Sequence, residues 1–132
     1  MITGIDHVGI AVASIEEHLG FYRDVLGLTT IEIEQVPDQL VRVAMIVTDQ
    51  GRIELLEPTS PESPIARFLE KNGEGLHHLA LATGDVVTEI EAVSGAGLRM
   101  IDNTPRYGAG GIEIAFAHPK ATGGVLLEFC KR

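Results

Sequence analysis

Cysteine occurs once in the chain, as Cys130, so no disulfide can form within it and a core must hold the fold. Basic residues are scarce too: 10 Lys and Arg stand against 19 Asp and Glu, a net charge of −9, which matches a nucleic-acid backbone poorly and excludes nucleic acid as a partner. No apolar run approaches the roughly 18 residues that a membrane span needs, so no membrane partner is expected. The opening stretch MITGIDHVGIAV lacks the basic start and small-residue cleavage site of a secretory signal. With the unpaired cysteine, this makes a reducing, cytoplasmic setting the expectation. What is present suits one ordinary domain: 132 residues, 45% of them apolar. The negative charge does not exclude an anionic ligand, but any basic patch for one must be local.

The chain repeats itself. Ile5-Asp6-His7-Val8-Gly9-Ile10-Ala11-Val12 lies over Leu76-His77-His78-Leu79-Ala80-Leu81-Ala82-Thr83, which pairs His7 with His78, an offset of 78 − 7 = 71 residues. Both stretches read as strands. After the first comes Ser14-Ile15-Glu16-Glu17, a capping box, and the spacing predicts a helix that ends at Gly27. After the second, Asp85 caps a helix over Val86 to Val93 that stops at Gly95 or Gly97. Each helix is followed by three β-rich runs: Thr29 to Gln35, Leu40 to Thr48 and Arg52 to Leu56, then Arg99 to Asp102, Gly111 to Ala117 and Gly124 to Phe129. The expected fold is α+β, a single domain over 1–132 built from paired βαβββ modules at about 4–57 and 75–131. Its Pro- and Ser-rich connector, 58–74, contains a short helix over Ile65 to Lys71. One helix cannot cover the sheet of one module, so the two modules are expected to complete one another's core.

A second repeated pair closes the modules. Glu54 sits in Arg52-Ile53-Glu54-Leu55-Leu56 and Glu128 in Val125-Leu126-Leu127-Glu128-Phe129. A carboxylate inside an apolar strand costs several kcal/mol to bury unless a cation or donors compensate it. Taken singly, each of these residues reads as a satisfied core histidine or an edge glutamate. Taken together, His7, Glu54, His78 and Glu128 form an N₂O₂ set suited to a divalent Mn, Co, Ni or Zn ion, and at an octahedral ion they leave two positions open.

Asp6-His7-Val8-Gly9-Ile10-Ala11-Val12, with Phe21-Tyr22-Arg23-Asp24-Val25-Leu26-Gly27-Leu28 behind it, resembles the vicinal oxygen chelate superfamily of glyoxalase I, extradiol dioxygenases and antibiotic-resistance proteins. More specific motifs are Ile53-Glu54-Leu55-Leu56-Glu57-Pro58, Ser63-Pro64-Ile65-Ala66, Gly73-Glu74-Gly75-Leu76-His77-His78, His118-Pro119-Lys120 and Gly123-Gly124-Val125-Leu126-Leu127-Glu128. Together they resemble the methylmalonyl-CoA epimerases from about Gly4 to Cys130.

The resemblance implies a divalent metal held at the positions of His7, Glu54, His78 and Glu128. It also implies an acyl-CoA substrate whose thioester and carboxylate chelate the ion, proton transfer through an enolate, and a homodimer. One position departs: some epimerases carry a glutamate, proposed as an acid/base group, where this chain has Val43. Glu54 and Glu128 are therefore expected to double as metal ligands and acid/base pair. Lys120 and Arg106, with Lys71 and Lys131, are candidates for the CoA phosphates, against the plainer reading of solvated surface charge. Gly108-Ala109-Gly110-Gly111 is open between an anion-binding turn and a flexible hairpin.

Three rivals remain at this stage. A glyoxalase I type lyase uses the same four ligands on a glutathione hemithioacetal, an iron(II) dioxygenase needs only three ligands, and a non-catalytic binding protein of the same fold has no need of the full set. Of the other histidines, His77 points away from His78, so a role in packing or in supporting a ligand from behind is expected rather than ligation. His18 lies on an exposed helix face, and His118 belongs to a turn. Cys130, with no histidine placed near it, is read as inert.

Overall fold

Ser14 and Asp85 begin the two principal helices at equivalent places in the repeat, each with its side-chain oxygen accepting from backbone N–H groups of the first turn. The computed structural model describes residues 1–132 as two compact units, one spanning Val8–His77 and the other made of Met1–His7 with His78–Arg132.

In the Val8–His77 unit, the end of strand β1 (Ile2–Ala11) leads into α1 (Ile15–Leu19), and β2 (Ile31–Val36), β3 (Val41–Thr48) and β4 (Gly51–Pro58) follow as an antiparallel meander. Helix α2 (Pro64–Asn72) comes next, with Ser63 as its cap and Pro64 in its first turn. Ile15 and Leu19, four residues apart on α1, pack with Val12 against Ala44 and Ile46 of β3 and Leu55 of β4. Burial of each large aliphatic side chain there contributes about 1.5–3 kcal/mol.

The first helix does not run to Gly27 in α geometry as expected. From Gly20 to Val25 it widens into a π-turn, closed by the Leu26 N–H donating to the Phe21 carbonyl at 3.0 Å. Val25 and Leu26, at the end of this wider turn, are exposed. Gly27 still supplies the left-handed stop, with φ +76°.

In the other unit the order is β5 (Gly75–Thr83), of which residues from His78 onward belong here, then α3 (Val86–Gly95), β6 (Arg106–Tyr107), β7 (Glu113–Ala117), a single-turn α4 (Pro119–Thr122) and β8 (Leu127–Lys131). β8 lies between β5, to which it runs parallel, and β7, to which it runs antiparallel. Alternate residues of β7 serve two cores. Ala115 and Ala117 join Val86 and Ile90 of α3 with Met100 and Phe129, while Ile114 and Phe116 join Ala80 and Cys130. The fold is α+β, and each half of the chain carries the βαβββ order.

The run Arg99 to Asp102 is not a strand. Only Met100 makes an isolated bridge, to Ala117, because the Asp102 carboxylate accepts from the Phe116 N–H at 2.9 Å and replaces the backbone partner that a ladder would use. Pro105, which has no N–H, follows before pairing resumes at Arg106.

The cap of α3 gives a direct test of this local reading. Asp85 accepts from Val87 N–H at 3.0 Å and from the Thr88 hydroxyl at 3.1 Å. Asp85→Ala is expected to cost about 1 kcal/mol in urea unfolding, and no loss of stability would mean that the cap is dispensable.

Candidate metal centre

Strand alternation brings the functional side chains of the second unit together. On β8, Glu128 stands between Ala80 of β5 and Phe116 of β7. His78, two residues before Ala80, shares the face of β5 on which Ala80 lies. His7 comes from β1, four residues before that strand ends. All three are buried, at 3%, 6% and 5% exposure for His7, His78 and Glu128. His7 Nε2 is 3.1 Å from His78 Nε2 and 3.2 Å from Glu128 Oε2, and His78 Nε2 is 3.9 Å from Glu128 Oε1.

Two imidazole nitrogens head to head at this distance leave room for at most one hydrogen between them, so at least one lone pair faces the space between the rings. Nitrogens bound at about 2.1 Å and at right angles to each other around one ion stand about 3.0 Å apart. The observed spacing fits a divalent cation, and the mixed nitrogen and oxygen donors suit a first-row ion. The ring of Phe116 closes one side, edge to face with His78 at 5.5 Å between centroids.

His7 is held from behind. Its Nδ1 lies 2.7 Å from Asp6 Oδ2, and Arg132 reaches the same carboxylate through Nε, 2.8 Å from Oδ1, and a terminal nitrogen, 3.2 Å from Oδ2. Burial pushes the Asp6 carboxyl up, but hydrogen bonds from His7 and Arg132, with the Arg132 charge, outweigh it and hold the group well below the usual carboxylate range.

Asp6 and Arg132 escaped the sequence reading. The signal for Arg132 was the two-residue period from Glu128 through Cys130, which keeps all three on one side of the strand line. Asp6 precedes a histidine in a strand, where neighbours ordinarily point apart, so only the folded geometry reveals its reach.

Glu54 belongs to the Val8–His77 unit. It lies in the middle of β4 opposite Met45 and between Ile53 and Leu55, and only 6% of it is exposed. It is thus a carboxylate taken inside an apolar strand, as the repeat required. Val43, on the neighbouring strand, is buried at 2% and brings no ionisable group.

The remaining residues divide. His77 packs edge to face on Phe68, His118 caps α4 by accepting from the Lys120 N–H, and His18 pairs with Glu74 at 2.8 Å. Cys130 requires a correction, because a histidine does lie beside it. Asp6, His7 and Cys130 offer ligand atoms within 4.8 Å of one another, and burial pushes the thiol up. Arg106 and Lys120 are exposed; Arg106 pairs with Asp102 at 3.2 Å and lies over the Phe116 ring.

Two successive βαβββ runs with histidines early and glutamates late define the class. A family model described as the Glyoxalase/Bleomycin resistance protein/Dioxygenase superfamily matches residues 6–116. The chain is 38% identical over 97% of its length to the ethylmalonyl-CoA/methylmalonyl-CoA epimerase of Cereibacter sphaeroides, of which 97% is covered. It is also 43% identical to the uncharacterized protein YqjC of Bacillus subtilis, covering 96% of this chain and 91% of that one. A solved structure of methylmalonyl-CoA epimerase in complex with methylmalonyl-CoA and NH4+ superposes with a TM-score of 0.94 at 37% identity, over 99% of this chain and 95% of that one. The chain belongs to this superfamily and, within it, to the methylmalonyl-CoA epimerase family. The fold is the glyoxalase-like one, which carries the paired βαβββ modules read from the repeat and agrees with the resemblance.

Proposed function

We propose that this protein interconverts the two epimers of methylmalonyl-CoA by moving the proton on the carbon between thioester and carboxylate. The observation that carries the reading is the buried convergence of His7, His78 and Glu128, built from equivalent places of a repeat in a chain of this family. Glu54, the counterpart of Glu128 in the first half, is proposed as the fourth ligand.

His7, His78, Glu128 and Glu54 would hold a divalent ion, which would supply Lewis-acid stabilisation of negative charge developing on the substrate oxygens. The chain's own residues then have two tasks. His7 and His78 are proposed to present ring nitrogens as ligands from buried positions, where charge interactions are stronger than in water. Glu128 and Glu54 are proposed to move the proton, one at each face of the planar carbon, because inversion needs a donor on the face opposite the acceptor. Val43 leaves no other carboxylate at its position to take over either role. The reading takes Co, Mn, Ni or Zn as the ion and Arg106 and Lys120 as contacts for the CoA phosphates. It takes a homodimer as the assembly and the cytoplasm as the location; no helix is long and apolar enough to cross a membrane.

The test is α-proton exchange of methylmalonyl-CoA in deuterated water, followed by NMR, with the protein stripped of metal and then reloaded with cobalt or manganese. Metal-dependent exchange with racemisation is expected. Folded, metal-loaded protein that exchanges nothing, yet isomerises a glutathione hemithioacetal, would transfer the chain to the lyase reading.

A further inference from the structure

We infer that Asp6 and Arg132 form a positioning clamp that fixes the ring orientation and tautomer of His7, so that its Nε2 lone pair faces the centre. The inference rests on the reading of His7 as a metal ligand, which concerns Nε2, but its own observations lie at Nδ1 and behind it.

A neutral imidazole has one N–H and one lone pair, and which nitrogen carries the hydrogen is set by the partner that the other side of the ring meets. Asp6 Oδ2 meets Nδ1 at 2.7 Å. A carboxylate whose two oxygens both accept from a guanidinium is an acceptor and nothing else. Arg132 makes that arrangement, with Nε at 2.8 Å from Oδ1 and a terminal nitrogen at 3.2 Å from Oδ2. The hydrogen must therefore sit on Nδ1, which leaves Nε2 as the lone pair directed at His78 and Glu128.

Burial keeps the arrangement from being shared with water: the Asp6 and His7 side chains are each 3% exposed, while that of Arg132 is 29% exposed and carries the charge out to solvent. The third neighbour, Cys130, is the weaker partner: its thiol lies 3.7 Å from the Leu81 carbonyl and also meets His7, but a thiol is a poor hydrogen-bonding group beside a carboxylate. The clamp ties Asp6, near one end of the sequence, to Arg132, 126 positions away.

The geometry also explains why lysine would not serve equally well at 132. A single ammonium point charge attracts the carboxylate but lacks the planar fork that engages both of its oxygens at once.

The experiment uses Arg132→Gln and Arg132→Lys in the full chain, with Asp6→Asn as a harsher third variant. Two readouts are taken. The first is the tautomer of His7 in metal-free protein, read from two-bond ¹⁵N–¹H correlations well above the ordinary histidine pKa of about 6.5. The second is the affinity for cobalt(II), from competition with a chelator and the visible absorption of the bound ion.

In the wild type the Nδ1–H tautomer is expected. Arg132→Gln is expected to mix in the Nε2–H tautomer and to weaken cobalt binding by about 10-fold to 100-fold. Arg132→Lys is expected to recover part of both. An Arg132→Gln variant with an unchanged tautomer and unchanged cobalt affinity would overturn the clamp, as would a wild type with the hydrogen on Nε2. Should the wild type prove not to bind cobalt at all, the functional reading fails while the tautomer measurement still decides the clamp. Thermal unfolding of each variant serves as the fold control; if Asp6→Asn does not fold, the two Arg132 variants carry the test alone.

Discussion

Glu128→Gln and Glu54→Gln are each expected to abolish racemisation and, in deuterated water, to spare wash-in of deuterium for opposite epimers of methylmalonyl-CoA. A centre that inverts its substrate with one acid/base group on each face loses both directions of inversion when either group is neutralised. It keeps exchange only for the epimer whose proton faces the surviving carboxylate. The loss of epimerisation should reach about 100-fold to 10,000-fold, the range that a positioned proton-transfer group supplies. Glutamine keeps an oxygen that can ligate, so metal should still bind measurably in both variants. The measurement is exchange and inversion recorded separately from each pure epimer. If the two variants impair both epimers alike, or if Glu54→Gln retains near-normal turnover, the assignment of the two carboxylates to opposite faces is wrong. Val43 makes the prediction sharp, since no carboxylate at that position can substitute for the one removed.

The second large effect is expected at His78. His78→Ala removes a donor that stands 3.1 Å from His7 Nε2 inside a buried wall. Loss of an outer partner of a ligand typically costs 10-fold to 100-fold in metal affinity, so loss of the ligand itself should cost at least about 100-fold. Exchange activity at a fixed, limiting cobalt concentration should fall with it and return in part when cobalt is raised. Competition with a chelator checks the affinity. A variant that binds cobalt as the wild type does would show that His78 is a core histidine paired with Glu128 and His7, the plainer reading of a polar residue in an apolar strand.

Much of the chemistry was legible because it occurs twice. Any one of His7, His78 or Glu128 could be a satisfied core residue; equivalent positions in a duplicated pattern favoured a shared site instead, and the structure places His7 3.1 Å from His78 and 3.2 Å from Glu128. Two helix starts were legible too, since Ser14 and Asp85 satisfy backbone donors locally and need nothing distant. What was hidden depended on partners far away in sequence. The run at 99–102 has strand-like residues, yet Asp102 uses its side chain to take the N–H of Phe116, which no local pattern reports. The π-turn at 20–25 hides for a related reason: its residues fit helix periodicity, and one extra residue per turn changes which of them face outward. Asp6, Arg132 and the neighbours of Cys130 emerge only when β1 and β8 are folded into one unit.

Cys130 gives the centre an internal clock. It is the one thiol in the chain, it has no exposed surface, and it follows Glu128 by two residues on the same strand. A thiol in that position cannot meet a labelling reagent until β8 parts from β5 or β7, and the same opening carries Glu128 away from the histidines. The rate at which a maleimide captures Cys130 therefore counts the moments when the centre is dismantled. A bound ion that draws its ligands together should slow that count in proportion to its occupancy.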